Sequence, residues 1–140
     1  MAPVKRAGPC LATVGAMYPG LHAETAPDRP AVIMAGSGDA LTYAELDERA
    51  NRLSHLFTSL GLVPGDHVAF CVENQVRFME LTWGATYAGL IYTCTSTRLT
   101  PEELAYIVDD CGARVVIGSA ATADQCAAIV ADTGGFRYPV

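Results

Sequence analysis

The clearest pattern along the chain is an amphipathic repeat in its first half. Apolar residues recur there at spacings of four and three positions, which gives a helix one buried stripe: Leu46, Ala50, Leu53, Phe57 and Leu60. Thr42 and Glu45 have the spacing of a capping box, in which each side chain bonds the other residue's backbone N–H. Gly61 stands where a helix of this length ends. The pattern predicts a helix capped by Thr42 and ended near Gly61.

Two short segments before this helix predict an antiparallel pair of strands. Residues 31–34 are apolar and follow a turn at residues 28–30. The Gly-Ser-Gly-Asp sequence of residues 36–39 is typical of a chain reversal, and residues 40–43 extend again. The two glycines lack the third glycine of a dinucleotide-binding loop, and turn chemistry accounts for both. We therefore expect a β-hairpin without a phosphate site.

Strands and helices alternate after Gly61. Residues 68–72 are apolar without a break, which indicates a strand covered on both faces, as in parallel sheets. Asn74 is a plausible cap for a helix over residues 75–88, and Gly89 would end that helix. Residues 90–94 predict the next strand.

The alternation continues in the second half of the chain. Thr100 and Glu103 form a second capping box, with proline at the first helical position between them. The buried stripe of this helix is Leu104, Ile107, Val108 and Cys111, and Gly112 would end it. Residues 114–117 predict a strand, and Thr122 opens a last helix with Gln125 at the box position. Residues 136–140 resemble the beginning of a further strand.

Repeated strand–helix–strand units require parallel crossover connections. The predicted fold class is therefore α/β, with an open and mostly parallel sheet flanked by helices and an N-terminal β-hairpin. Residues 1–28 are irregular, with a short helix possible around residues 11–18. Residues 29–140 are predicted to form an α/β subdomain whose sheet is incomplete.

Composition and charge exclude several classes of function. The chain has 140 residues and a formal net charge of −6, so it offers no basic surface to a nucleic acid. Its charge-free stretch from Leu81 to Cys94 has 14 residues, whereas a membrane span needs about 20. The first 27 residues lack the apolar segment of a secretory signal. Five cysteines with no CxxC spacing favour a reducing cytoplasm over a disulfide scaffold.

Few residues are placed for chemistry at the predicted carboxyl ends of the strands, where ligands of such sheets bind. Residues 73–75 contain no glycine, and residues 118–120 are short and mixed. The polar loop from Thr95 to Arg98 is the best candidate for contact with an anion, although a solvated connector that caps the next helix is the more economical interpretation. Helix capping accounts for the glutamates at positions 45, 102 and 103. No catalytic, cofactor-binding or metal-ligating residue is assigned from the sequence, and the three histidines share no ligand spacing with the cysteines.

Read from end to end, the chain resembles a known family over residues 22–118. The segments that carry the resemblance are residues 22–33, 41–53, 61–69 with Asn74, 88–92, and 98–107 with 112–117. In this order they are similar to the N-terminal portion of the adenylate-forming acyl-CoA synthetases, a superfamily that includes luciferases and the adenylation domains of peptide synthetases. The Thr-Cys-Thr-Ser-Thr sequence after Tyr92 replaces the proline and Asn or Asp of many relatives, and it looks closer to bacterial fatty acyl-CoA ligases.

The resemblance implies a two-step reaction in the full-length enzyme. A fatty acid or other carboxylate attacks ATP to give an acyl-adenylate, and the thiol of coenzyme A then displaces AMP. Mg²⁺ would neutralise the phosphates. The phosphate loop, the nucleotide contacts, the magnesium-site glutamate and the catalytic lysine of the family all lie beyond the matched segments. We therefore expect this chain alone to be inactive and to bind none of ATP, Mg²⁺ or coenzyme A.

Two further expectations concern what the chain does by itself. An incomplete sheet exposes apolar edges, which predicts a homodimer or a strand-exchanged oligomer. The alternative is a free-standing small α/β binding or interaction module without catalysis, whose pocket would lie at the loop from Thr95 to Arg98. Tight binding of a nucleotide, coenzyme A or a fatty acid would favour this alternative.

Overall fold

The computed structural model of the chain describes residues 17–133 and 136–139, with side chains through residue 129. The helix predicted around residues 11–18 falls almost entirely outside these residues. The division between residues 1–28 and 29–140 stays a prediction. The described part begins with a short helix, α1 (Pro19–Thr25), that the sequence analysis did not predict.

The remaining elements follow the predicted alternation. In chain order they are β1 (Pro30–Ile33), β2 (Ala40–Thr42), α2 (Tyr43–Ser59), β3 (His67–Cys71), α3 (Phe78–Tyr87), β4 (Ile91–Cys94), α4 (Pro101–Asp110), β5 (Ala113–Gly118), a 3₁₀ turn (Ala120–Thr122), α5 (Ala123–Thr133) and β6 (Phe136–Pro139).

The strands form two separate sheets. β1 and β2 pair antiparallel, which confirms the predicted hairpin. The main sheet has the order β4-β3-β5-β6, and each pair in it is parallel. The chain first adds β4 on one side of β3 and then crosses to add β5 on the other side. The predicted open parallel sheet is confirmed, and its connections change direction between β3 and β5.

Two apolar clusters lie on opposite faces of the main sheet. α2 and α3 cover one face, where the cluster consists of Phe57, Leu62, Val68, Phe70, Val72, Leu81, Ala85, Leu90, Val115 and Ile117. α4 and α5 cover the other face, where the cluster consists of Ala69, Cys71, Leu104, Val108, Val116, Cys126 and Ile129. Consecutive residues of β3 enter different clusters because side chains alternate across a strand. Cover on both faces explains why this strand is apolar without a break.

Both predicted capping boxes are confirmed. The Glu45 backbone N–H donates to the Thr42 hydroxyl at 3.2 Å, and the Thr42 backbone N–H donates to the Glu45 carboxylate at 2.9 Å. Thr100 and Glu103 make the same reciprocal bonds at 3.3 and 2.8 Å. Each pair satisfies two N–H groups that a helix start would otherwise leave open.

One predicted helix start and one predicted capping box are wrong. α3 begins at Phe78 and not at Gln75, and Asn74 does not cap it, because a turn closed by the Phe78 N–H on the Gln75 carbonyl precedes the helix. Thr122 and Gln125 do not form a third capping box before α5. Their side chains bond other parts of the fold, as described next.

Candidate functional site

The carboxyl ends of the parallel strands form one edge of the main sheet. In open α/β sheets, ligands bind at this edge, where the connections change direction. Here that point lies between β3 and β5, so the residues that follow Cys71 and Gly118 line the candidate site. The loop after β4 borders it on one side.

A polar cluster joins the ends of β3 and β5. The Ser119 hydroxyl donates to the Glu73 carboxylate, which follows β3. The Thr122 hydroxyl donates to the Cys71 carbonyl at 2.6 Å and accepts from the Ser119 backbone N–H at 2.9 Å. Ser119 and Thr122 are both buried, whereas Glu73 is exposed. The cluster therefore fastens the two strand ends to each other through groups that already have partners.

The chemistry of this cluster does not fit ATP or Mg²⁺. Glu73 places a negative charge at the change of direction, where it would repel phosphates. The Ser119 N–H, which could have contacted a phosphate, already donates to Thr122. Among the described residues there is no group of three or more His, Cys, Asp or Glu side chains that could hold a metal ion. At this cluster, Glu73 is thus unfavourable to a phosphate and the Ser119 N–H is already used.

The loop from Thr95 to Arg98 is held by hydrogen bonds within the loop and to β3, and the residue after it bonds α5. The Thr95 N–H and hydroxyl both donate to the Phe70 carbonyl, at 2.9 and 3.2 Å, which extends the pairing of β3 and β4. The Ser96 hydroxyl accepts from the Arg98 backbone N–H at 3.2 Å. The Gln125 side chain donates to the Leu99 carbonyl and ties the loop to α5. Ser96 and Arg98 are the exposed residues of this loop.

Ionisable groups with shifted pKa values lie away from the candidate site or have structural causes. The Thr42 backbone N–H lowers the pKa of Glu45. The Val63 backbone N–H, aided by Arg114, lowers the pKa of Asp66 at the amino end of β3. Burial raises the pKa of the Cys94 thiol on β4. None of these shifts activates an acid, base or nucleophile at the carboxyl ends of the strands.

Two buried polar contacts between helices were not predicted from the sequence. Glu80 on α3 is buried, and its carboxylate pairs with the Arg77 guanidinium at 3.0 Å. The same carboxylate lies 3.8 Å from the Arg49 guanidinium of α2. The Tyr87 hydroxyl donates to Asp47 of α2 at 2.7 Å and accepts from the Gly20 N–H of α1 at 3.2 Å. These contacts join α1, α2 and α3.

Sequence reasoning missed Ser119 and Thr122 as members of one cluster with Glu73. Their one signal in the sequence was that they follow the strand predicted over residues 114–117. The pairing partners lie 46 and 51 positions apart, so only the sheet order could show that they meet.

Two further findings concern the state of the cysteines and the length of the helices. Of the described residues, Cys71, Cys94 and Cys111 are free thiols. No helix in the described part of the chain is long and apolar enough to cross a membrane.

A four-stranded parallel sheet with helices on both faces defines a doubly wound α/β protein. Residues 21–135 match the family model described as AMP-binding enzyme, and the chain therefore belongs to this family. The resemblance seen in the sequence, to the N-terminal portion of the adenylate-forming synthetases, is confirmed.

Individual relatives agree with this assignment. The chain is 34% identical over 95 residues to a fatty acid–[acyl-carrier-protein] ligase, ScoC, of Streptomyces coeruleorubidus, which covers 68% of this chain and 18% of that protein. It is 35% identical over 108 residues to the long-chain-fatty-acid–CoA ligase FadD13 of Mycobacterium tuberculosis, which covers 77% of this chain and 22% of the ligase. The chain thus spans about a fifth of the length of these curated relatives.

A solved structure gives the same result for the fold. The crystal structure of the N-terminal domain of FACL13 from Mycobacterium tuberculosis superposes on 87% of this chain with a TM-score of 0.78 and 31% identity. The superposition covers 32% of that domain. The chain therefore has the fold of a part of that N-terminal domain.

Proposed function

We propose that this chain forms the N-terminal portion of an ATP-dependent fatty acyl ligase. In such an enzyme a fatty acid carboxylate attacks ATP, pyrophosphate leaves, and the thiol of coenzyme A displaces AMP from the acyl-adenylate. The main support is that the matched relatives are ligases of fatty acids and that the match extends over most of this chain. Mg²⁺ would accompany ATP in the complete enzyme.

The role of residues 17–129 in this enzyme is to build and fix the scaffold. Their clearest sequence signals are caps, turns and core positions, and the polar groups at the strand ends bond each other. A fold segment does not by itself confer an activity. Residues outside this chain would bind the nucleotide and carry out the transfer, and the chain alone would be inactive.

Two further features belong to the proposal. We place the protein in the cytoplasm, because Cys71, Cys94 and Cys111 are free thiols and Cys71 is buried in the core as a small apolar side chain. We also expect the chain to form a homodimer or a strand-exchanged oligomer, because β4 is an edge strand with exposed apolar side chains.

A chimaera tests whether the segment belongs to a ligase. Residues 21–135 would replace the matching segment of the Mycobacterium tuberculosis long-chain ligase, and formation of acyl-CoA from a long-chain fatty acid would be measured. We expect turnover, because the segment supplies the same scaffold. A matched chimaera with Phe70→Asp, which places a charge in the core, should lose turnover. A folded chimaera that forms no acyl-CoA would contradict the proposal.

The isolated chain provides the second test. ATP–pyrophosphate exchange with a fatty acid and Mg²⁺ should give no signal above a blank. Calorimetric titration with ATP, coenzyme A and a fatty acid should give no heat of binding. Tight binding without exchange would instead support the free-standing binding module, and exchange by the chain alone would refute its scaffold role.

A further inference from the structure

The outer face of α4 carries an open groove with apolar walls. The residues that line it are Leu99, Glu102, Glu103, Tyr106 and Ile107. Tyr106 is an aromatic residue and yet is 70% exposed. The opposite side of the helix is buried in the core through Leu104 and Val108. The groove therefore lies on the face of α4 that points away from the main sheet.

Contacts within the fold fix the walls of this groove. The Leu99 side chain packs against the apolar cluster under α4 and α5, and its carbonyl accepts from the Gln125 side chain of α5. The start of α4 is held by its capping box, in which the Glu103 carboxylate accepts from the Thr100 N–H at 2.8 Å. A surface that is already ordered loses little conformational entropy when it binds. The groove is thus a preformed docking surface.

Four carboxylates surround Tyr106 on the surface of the helix. Side chains three and four positions apart are neighbours on a helix, which places Glu102, Glu103, Asp109 and Asp110 around the ring. All four are exposed, and α4 contains no Lys, Arg or His. Within the part of the chain that the structure describes, none of the four has an ion-pair partner. The apolar groove therefore lies in a surface of uncompensated negative charge.

This combination defines the chemistry of a complementary partner. An apolar side chain would fill the groove, and Lys or Arg side chains beside it would neutralise the carboxylates. A guanidinium can also lie over the face of the Tyr106 ring. A basic amphipathic helix presents these groups together, because its apolar stripe is flanked by charged positions. The same carboxylates would repel a phosphate or an anionic lipid surface.

We propose that the groove on α4 is a docking site for a basic amphipathic helix of a partner protein. The partner would place an apolar side chain between Leu99, Tyr106 and Ile107. Its Lys or Arg side chains would lie against Glu102 and Asp110, at the two ends of α4. A helix of 10 residues offers only a small interface, so we expect a transient complex. The inference does not depend on the proposed ligase activity.

Fluorescence anisotropy with a labelled peptide tests the chemistry of the partner. The probe is a helical peptide of about 14 residues, with leucines three and four positions apart and Lys or Arg beside them. We expect it to bind the chain with a dissociation constant of about 10–100 μM. The matched control has the same composition in an order without this period, and it should bind about tenfold more weakly because it lacks an apolar face. A peptide with Glu in place of every basic residue should not bind.

Three variants test whether the peptide occupies the groove. Tyr106→Ala removes the central aromatic side chain and should weaken binding about tenfold. Asp110→Lys should weaken it about fivefold, and it preserves α4 because a cation is favourable at the carboxyl end of a helix. Glu48→Lys makes the same change of charge at an exposed position of α2, on the opposite face of the sheet. This control should leave the dissociation constant unchanged.

A measurement on the chimaera shows whether the groove is open to a separate protein. The folded chimaera with residues 21–135 in the Mycobacterium tuberculosis ligase should bind the peptide as the chain does. Binding by the chain alone would mean that the rest of a ligase covers the groove, which would overturn the inference.

Three further outcomes would overturn it: no binding, equal binding of the ordered and reordered peptides, or an equal loss from Glu48→Lys and Asp110→Lys. The last two would mean that the peptide responds only to the overall charge of the chain. No readout here requires turnover, so a chimaera without ligase activity and a groove that binds nothing are separate results.

Discussion

The Thr122 hydroxyl lies 2.6 Å from the carbonyl oxygen of Cys71 and donates a hydrogen bond to it. This bond connects the turn after β5 to the last residue of β3, the two strands between which the connections change direction. The same hydroxyl accepts from the Ser119 N–H. The buried Thr122 side chain thus satisfies two backbone groups, the Cys71 carbonyl and the Ser119 N–H. These bonds hold the ends of β3 and β5 together at the candidate site.

Thr122→Val should destabilise the fold without changing the core volume much. It leaves the Cys71 carbonyl and the Ser119 N–H unsatisfied in a buried position, which costs about 1–3 kcal/mol. Urea unfolding should show a lower midpoint and an unchanged m-value. Thr58→Val is the control, because that exposed hydroxyl bonds only its own helix. Equal midpoints for the two variants would show that the bond carries little stability.

The capping boxes should make similar contributions to helix stability. Thr42→Ala and Thr100→Ala each remove a hydroxyl that accepts from the third helical residue, and each should cost about 1 kcal/mol. Thr→Ser at either position keeps the acceptor and should restore most of the loss. Thermal unfolding followed by circular dichroism would measure all four variants. An alanine variant as stable as the natural chain would contradict the role of that cap.

The first capping box also predicts a dependence on pH. The bond from the Thr42 N–H lowers the pKa of Glu45, so the unfolded chain binds this proton more tightly than the folded chain does. The contribution of Glu45 to the free energy of unfolding is therefore fully present above the ordinary glutamate pKa. It is lost as the pH falls through the lowered pKa. Glu45→Gln should flatten that part of the profile, measured as urea midpoints from about pH 7 to about pH 3. An unchanged slope would show that Glu45 does not contribute to it.

Gly84 allows α2 and α3 to pack closely. A Cβ at this position would lie 2.8 Å from Leu53 Cβ, a contact that requires the helices to move. Gly84→Ala should therefore cost about 1–3 kcal/mol, although alanine is the better helix former. Gly36→Ala, where a Cβ meets nothing within 4 Å, is the control and should not destabilise the fold. A stabilised Gly84→Ala variant would mean that helix propensity outweighs the clash.

The Tyr87 hydroxyl should control how firmly α1 is held. Tyr87→Phe removes the acceptor of the Gly20 N–H and the donor to Asp47, so amides of α1 should exchange faster with solvent. Burial, followed by the bond to Asp47, raises the pKa of Tyr87 above the ordinary tyrosine range. Its stabilising effect is thus present at neutral pH and lost in strong alkali as the phenol ionises. Tyr106→Phe, at a residue 70% exposed, should leave α1 exchange unchanged.

The sequence predicted capping contacts correctly where no distant residue competes for the two side chains. Thr42 with Glu45, and Thr100 with Glu103, meet in the structure as their spacing requires. The same pattern at Thr122 and Gln125 failed, because stronger partners compete for both side chains. Thr122 bonds the Cys71 carbonyl and Gln125 bonds the Leu99 carbonyl, and neither acceptor is near in sequence.

The sequence by itself determined the alternation of strands and helices, their caps and their class, because these depend on contacts within a few residues and on the period of apolar positions. The tertiary structure decided the strand order β4-β3-β5-β6, the meeting of Glu73 with Ser119, and the exposure of the β4 edge. Parallel strands are joined by long crossover connections. The residues of one strand therefore do not show on which side of β3 a later strand will pair. The cluster at the strand ends and the proposed dimer edge both follow from that choice.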